Sequence, residues 1–200
     1  MSWFPQKTNT TAAMRHSMLV KLVGVLSLLY PAIAVSAIQL AGPYPALAIV
    51  GCLLALRLLV PATAMPADLI VVTIAAMAGV LIVGIGDPEL GVRLYPVFMS
   101  AAMLWAFSRS LYHPPTMIER FARILEPDLD EFGVQYTRKV TIVWIGFFAI
   151  NGCIALWTAI LGNWAVWAIY NGAISYLLAG LLFMIEYLVR RRMRRRHAMV

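Results

Sequence analysis

Residues 140–162, VTIVWIGFFAINGCIALWTAILG, contain no charged side chain and none of the polar–apolar alternation of a barrel strand. A helix needs about 20 apolar residues to cross roughly 30 Å of hydrocarbon, whereas a barrel strand would alternate over about ten. The stretch therefore reads as a transmembrane helix, and the rest of the chain repeats it. Further apolar runs fall at about 18–40, 44–63, 69–86, 93–111 and 164–189. Gly42-Pro43 with Pro45, Pro61 and Pro66, Gly86-Asp87-Pro88, Pro114-Pro115 and Gly162-Asn163 separate them where turns are needed. The expected fold is all-α: one polytopic membrane bundle of about six transmembrane helices over residues 1–200.

Composition agrees. The 200 residues are 62% hydrophobic and 12% charged, where soluble domains carry about 25% charged residues. Lipid is the solvent that does not demand the missing charge. Cys52 and Cys153 sit in apolar runs with no Cys or His at ligand spacing, which predicts buried packing residues rather than a disulfide or a metal pair. A net charge of +7 could suggest nucleic acid, but the basic residues are not interleaved with aromatics in any nucleic-acid motif. Arg190, Arg191, Arg192, Arg194, Arg195 and Arg196 instead follow an apolar run directly, a pattern that sets topology and attracts anionic lipid.

Orientation follows from the positive-inside rule. With the N-terminus in the cytoplasm, six spans leave only Arg93 outside and fifteen of the sixteen Lys and Arg residues inside or at inner helix ends. An odd number of spans would spoil that split. The first run also has the outline of a secretory leader ending near Val35-Ser36-Ala37, but it is long for a leader core and reads as a span. Pro31 and Pro96 lie within spans, where neighbouring helices can satisfy the carbonyls that a kink frees.

The one long connection, 112–139, is expected on the cytoplasmic side. Met117, Ile118, Phe121, Ile124 and Leu125 recur at helical spacing, with Glu119, Arg120, Arg123 and Glu126 opposite, predicting an amphipathic helix of about ten residues in the inner headgroup layer. Asp128 and Asp130 begin like a calcium loop but lack its glycine and terminal glutamate, so they read as solvated acids and no metal is expected.

Ionisable groups inside spans are costly and become candidates for function. Lys21, Arg57, Arg109 and Glu186 qualify, all toward cytoplasmic helix ends. Snorkelling explains Lys21 and Arg109, while Glu186 could pair with Arg190 one turn on or with Arg57 across the bundle. Asn151-Gly152 and Asn171-Gly172 form a faint repeat, read either as close helix packing through amide hydrogen bonds or as substrate contacts. Trp144, Trp157, Trp164 and Trp167 read as interface belts and packing residues. No zinc-protease helix, nucleophile elbow or phosphate-binding glycine loop is present, and His16, His113 and His197 share no useful spacing. No cofactor is implied.

Several motifs carry a family likeness: Tyr95-Pro96, Ser110-Leu111, Pro114-Pro115 with Ile118-Glu119-Arg120, Tyr136 to Thr141, Trp144, Phe147-Phe148, Asn151-Gly152, Tyr170-Asn171-Gly172 and Glu186-Tyr187. Over Tyr95 to Tyr187 the chain resembles a family of bacterial inner-membrane proteins encoded with aryl polyene (xanthomonadin-type) pigment biosynthesis genes. The Trp144, Phe147-Phe148 and Asn151 pattern is also similar, more weakly, to the intracellular septation protein A group. The first resemblance implies a Gram-negative inner membrane and a link to lipid-like acyl products, without implying a reaction.

The leading expectation is a non-enzymatic component that transports or positions such a product, or its biosynthetic enzymes. Arg57, Arg109, Arg120, Arg123, Arg138 and Lys139 form a cytoplasmic basic cluster suited to anionic lipids, acyl carrier protein or acyltransferase partners. Glu119, Asn151, Asn171 and Glu186 complete the candidate set. The alternatives are a membrane acyltransferase using Glu119 or His113, and a scaffold for envelope synthesis or septation.

Overall fold

The computed structural model describes residues 36–37, 40–58 and 67–197. Most of the first expected span, the Pro61–Pro66 link, and the side chains of Arg57 and of Arg194 to Arg196 lie outside the described residues. Every regular element among the described residues is helical. In chain order these are α1 (Pro43–Leu58), α2 (Ala67–Gly86), α3 (Pro88–Tyr112), α4 (Met117–Leu125), α5 (Glu131–Leu161) and α6 (Trp164–Ile169), then a π-helical segment (Tyr170–Ile174) that leads into α7 (Ser175–His197).

Three helical rods are long and apolar enough to cross a membrane: Pro88–Tyr112, Glu131–Leu161 and Trp164–Arg192, the last running through the π segment. The protein is thus an all-α membrane protein. α1 and α2 stand where the sequence predicts the second and third spans. Large apolar side chains cover the outer faces, among them Ile82, Ile150, Leu177 and Met184, a surface that hydrocarbon can solvate and water cannot.

Local chemistry explains the helix ends. Asp87 caps α3 by accepting from the Leu90 N–H at 3.0 Å, and Pro88 occupies the first turn, where no N–H is needed. Gly162 closes α5 at φ 72°, a left-handed conformation that a side chain would oppose. Asn163 then opens α6, accepting from the Ala165 and Val166 N–H groups at 3.0 and 3.2 Å. α2 and α3 touch backbone to backbone at their glycines: a Cβ on Gly91 would lie 2.7 Å from the Gly84 Cα.

Two clusters of buried side chains hold the bundle. One gathers Ala46, Val80, Val92, Tyr95, Ala159 and Trp167. The other gathers Val72, Ala106, Phe107, Met117, Val140 and Trp144. In the second, Trp144 stacks among Phe107, Phe147, Phe148 and Phe183 with ring centroids 4.5–6.4 Å apart. Trp144 is therefore a core residue, and Trp157 is the exposed member of the expected belt.

Three expectations need correcting. The fifth helix begins at Glu131, not near 140, so the connection is shorter than 112–139. Hydropathy marks only the part of a helix that lipid can solvate; here Asp130 caps an aqueous extension by accepting from the Gly133 N–H at 2.8 Å. The amphipathic helix exists as Met117–Leu125 with Phe121 and Ile124 turned outward, but Glu119, expected on its polar outer face, is buried. Met117, Glu119 and Ala122 are buried, while Phe121 and Ile124 are 44% and 76% exposed. The Ser110 hydroxyl accepts from the Met117 N–H at 2.9 Å and ties the helix start to α3, which turns the Glu119 side inward. Finally, Cys52 and Cys153 are free and exposed rather than buried, because their segments face outward.

Candidate functional site

The polar residues of the membrane helices converge where α3, α5 and the π segment meet. At Trp167 the carbonyl accepts from both the Tyr170 N–H and the Asn171 Nδ2, the latter at 2.9 Å. That side-chain bond competes with the regular i→i−4 ladder, and the backbone responds with a wider turn in which the Ser175 N–H reaches the Tyr170 carbonyl. Such π segments are frequent at functional positions of α-helices.

Asn171 also donates through Nδ2 to the Thr158 hydroxyl at 3.1 Å, and that hydroxyl donates to the Ala155 carbonyl at 2.9 Å. A carbonyl can only accept, so the amide nitrogen must face Trp167 and Oδ1 must be the remaining acceptor. Asn171 is 4% exposed, and its Oδ1 has no donor. A buried acceptor left in this state costs about 1–3 kcal/mol.

One turn below, the Tyr170 hydroxyl donates to Asn151 Oδ1 at 3.0 Å, and Asn151 Nδ2 donates to the Ser100 hydroxyl at 3.1 Å. Gly152 makes this crossing possible: a Cβ there would stand 3.2 Å from the Ser100 Cβ. The two Asn-Gly pairs noted in the sequence therefore belong to one polar region. Ser100 and Thr158 were not singled out from sequence, since hydroxyls scattered through apolar runs have no period to reveal them, and Tyr170 stood out only beside Asn171-Gly172.

Beside this region lies a cleft of about 240 Å³. Its walls are aromatic and thioether: Tyr95, Met99, Trp144, Phe147, Phe148 and Tyr176. Ser100, Asn151, Asn171 and Ser175 supply its polar groups, and no charged residue lines it. On the other side of Trp144, a second cleft of about 220 Å³ brings Lys139 and Glu186 to a common wall with Tyr136, Val140 and Leu182. The Tyr136 hydroxyl donates to the Glu186 carbonyl at 3.3 Å. Burial pushes the Tyr136 phenol above its ordinary range, and the Glu186 charge adds to the effect.

Several of the basic residues bond to nearby carbonyls. Arg120 Nε donates to the Pro115 carbonyl at 2.9 Å, Arg123 Nη1 to the Pro127 carbonyl at 3.1 Å, and Arg138 Nη1 to the Leu111 carbonyl at 3.0 Å. Arg109 lies 5.6 Å from the Trp105 ring centroid. Glu119 is 5% exposed and accepts from the Thr116 N–H at 3.2 Å and from Arg123 at 2.9 Å, so it closes the start of α4. His113 is exposed at the end of α3, its Nδ1 3.3 Å from the Arg109 carbonyl. Arg190 meets Glu126 at 3.6 Å, which replaces the expected Glu186–Arg190 pair. The Arg57–Glu186 alternative lies outside the described residues because the Arg57 side chain does. Arg93, placed outside by the charge count, sits 4.3 Å above the Trp164 ring and pairs with Glu89 at 3.2 Å.

Among the described residues, no three His, Cys, Asp or Glu side chains come together as metal ligands. No family model, curated protein or solved structure matches this chain.

Proposed function

We propose that the protein is a non-enzymatic component of a bacterial inner membrane that transports or positions a lipid-like acyl product. The observation that carries this reading is the aromatic cleft of about 240 Å³ within membrane-crossing helices, closed by hydroxyl and amide groups and free of charge. Apolar walls with a few placed polar groups are the usual composition of a small-molecule site. The sequence resemblance to membrane proteins encoded with aryl polyene genes supports the same product class. On this reading six helices cross the membrane with both chain ends in the cytoplasm. The inner surface, with Lys139 and the arginine tail, meets anionic lipid and acyl carrier protein or acyltransferase partners.

Deleting the gene, then extracting lipid and pigment from separated inner and outer membranes, tests the proposal. Product that is made but retained in the inner membrane is the expected result. Missing product with accumulated carrier-bound intermediates would point to a biosynthetic step instead. Unchanged pigment with an altered envelope would sink the proposal in favour of a scaffold.

A further inference from the structure

We infer that the cleft between α3, α5 and the π segment receives the uncharged, hydrogen-bonding tip of a long apolar molecule, with Asn171 Oδ1 as the acceptor for that tip. The inference rests on the lipid-handling reading above and makes it specific to one end of the molecule.

Three observations lead to it. The first is the unused acceptor on Asn171, a residue that lines the cleft and is 4% exposed. Its companion Ser100, 5% exposed, accepts from Asn151 and keeps its own hydroxyl proton to offer. A hydroxyl or an amide N–H with its carbonyl supplies both a donor for Asn171 and an acceptor for Ser100.

The second observation is the absence of charge. No cationic side chain lines this cleft, so a carboxylate or phosphate tip would be desolvated without compensation. The basic cluster does not repair this, because Arg120, Arg123 and Arg138 are bonded to carbonyls elsewhere. The third is size. At about 240 Å³ the cleft falls below the roughly 300–1,000 Å³ of a site that encloses a drug-sized ligand. It holds an end, and the rest of a long molecule must lie outside it, in the surrounding hydrocarbon.

The experiment uses the full chain in phosphatidylcholine nanodiscs, a lipid with no hydroxyl of its own. The probe is a hexadecanol with a diazirine close to its hydroxyl, compared with its methyl ether and with the corresponding carboxylic acid. In bulk lipid the tip of such an alcohol lies at the headgroups, so photolabelling at mid-helix depth reports the cleft. The alcohol should label residues 95–103, 144–151 or 171–179, and unlabelled hexadecanol should compete. The ether should label there about three- to tenfold less, the ratio for a lost neutral hydrogen bond.

Asn171→Leu should abolish the preference for alcohol over ether. Because that change also removes the bonds to Thr158 and Trp167, Ala179→Phe provides a second route. It fills the cleft wall without replacing any of the polar residues and should remove labelling by all three probes. Equal labelling by alcohol and ether would overturn the inference, with water alone then serving Asn171. Stronger labelling by the acid would overturn it too, as would labelling that Ala179→Phe leaves unchanged. The assay is read on purified protein, so its failure removes this site and leaves the deletion experiment to decide the wider reading.

Discussion

The connection around residues 109–139 and the amide cluster among the apolar helices carry the same kinds of polar atom in different settings. At the surface, Arg120, Arg123 and Arg138 each find a carbonyl, and Glu119 finds an N–H and a guanidinium. In the membrane cluster, Ser100, Asn151 and Tyr170 form one chain of bonds and Thr158 with Asn171 another, and Asn171 Oδ1 is left without a donor. At the connection Glu119 and Thr116 are buried, with Thr116 Oγ1 unpartnered, whereas exposed members such as Arg138 can also turn to water. Lipid offers no such exit, so an unmet acceptor there persists only if the fold holds it in place or a ligand meets it.

The largest effect should come from the helix crossing that creates the cluster. Gly152→Val would push α5 off Ser100, and the overpacking should lower stability by about 1–3 kcal/mol while breaking the Asn151–Ser100 bond. Thermal unfolding in detergent measures it. A variant as stable as the parent would show that the close approach is not needed.

Next comes the surface. Glu119→Ala should cost about 1–2 kcal/mol by leaving the buried Thr116 N–H unmet, and Glu119→Gln should recover part of it. Arg138→Ala, at an exposed position, should stay within about 0.5 kcal/mol. Comparable losses at the two positions would erase the distinction between structural and peripheral charges at this surface.

A double-mutant cycle between Asn151→Leu and Tyr170→Phe should return a coupling of about 0.6 kcal/mol, and no more than about 1.7, the range for side-chain bonds between membrane helices. Zero coupling would mean that the cluster is not a connected network.

The smallest effect concerns pH. Burial and Glu186 favour the neutral Tyr136 phenol in the folded protein. Its contribution is therefore complete below the ordinary tyrosine value of 10.0 and declines as pH rises through the higher folded value. Tyr136→Phe should flatten the alkaline arm of a stability–pH profile. An unchanged arm would assign it to other groups.

Much of the helix order was legible because apolar runs and Pro or Gly breakers report directly on where lipid can lie. The end of α3 at Tyr112 and the start of α6 at Trp164 lie beside such breakers, Pro114-Pro115 and Gly162-Asn163. The start of α5 was not legible, because Asp130 extends the helix into water, beyond the reach of hydropathy. The sidedness of α4 also escaped a periodicity argument. Its apolar spacing is real and Ile124 is outward, but the Ser110–Met117 bond ties the helix start to α3 and Glu119 is buried instead of solvated.

Asn151-Gly152 and Asn171-Gly172 stood out in the chain as amides in apolar surroundings, and that much is a property of the residues themselves. Their meeting through Ser100, Thr158 and Tyr170 is not, since those partners lie 13 to 51 positions away along the chain. Hydropathy is a sum over neighbours in sequence and so determines which segments can enter lipid. Which polar atoms are satisfied inside that lipid depends on helix crossings and on one widened turn at Tyr170–Ile174, where distant segments share the same few ångströms.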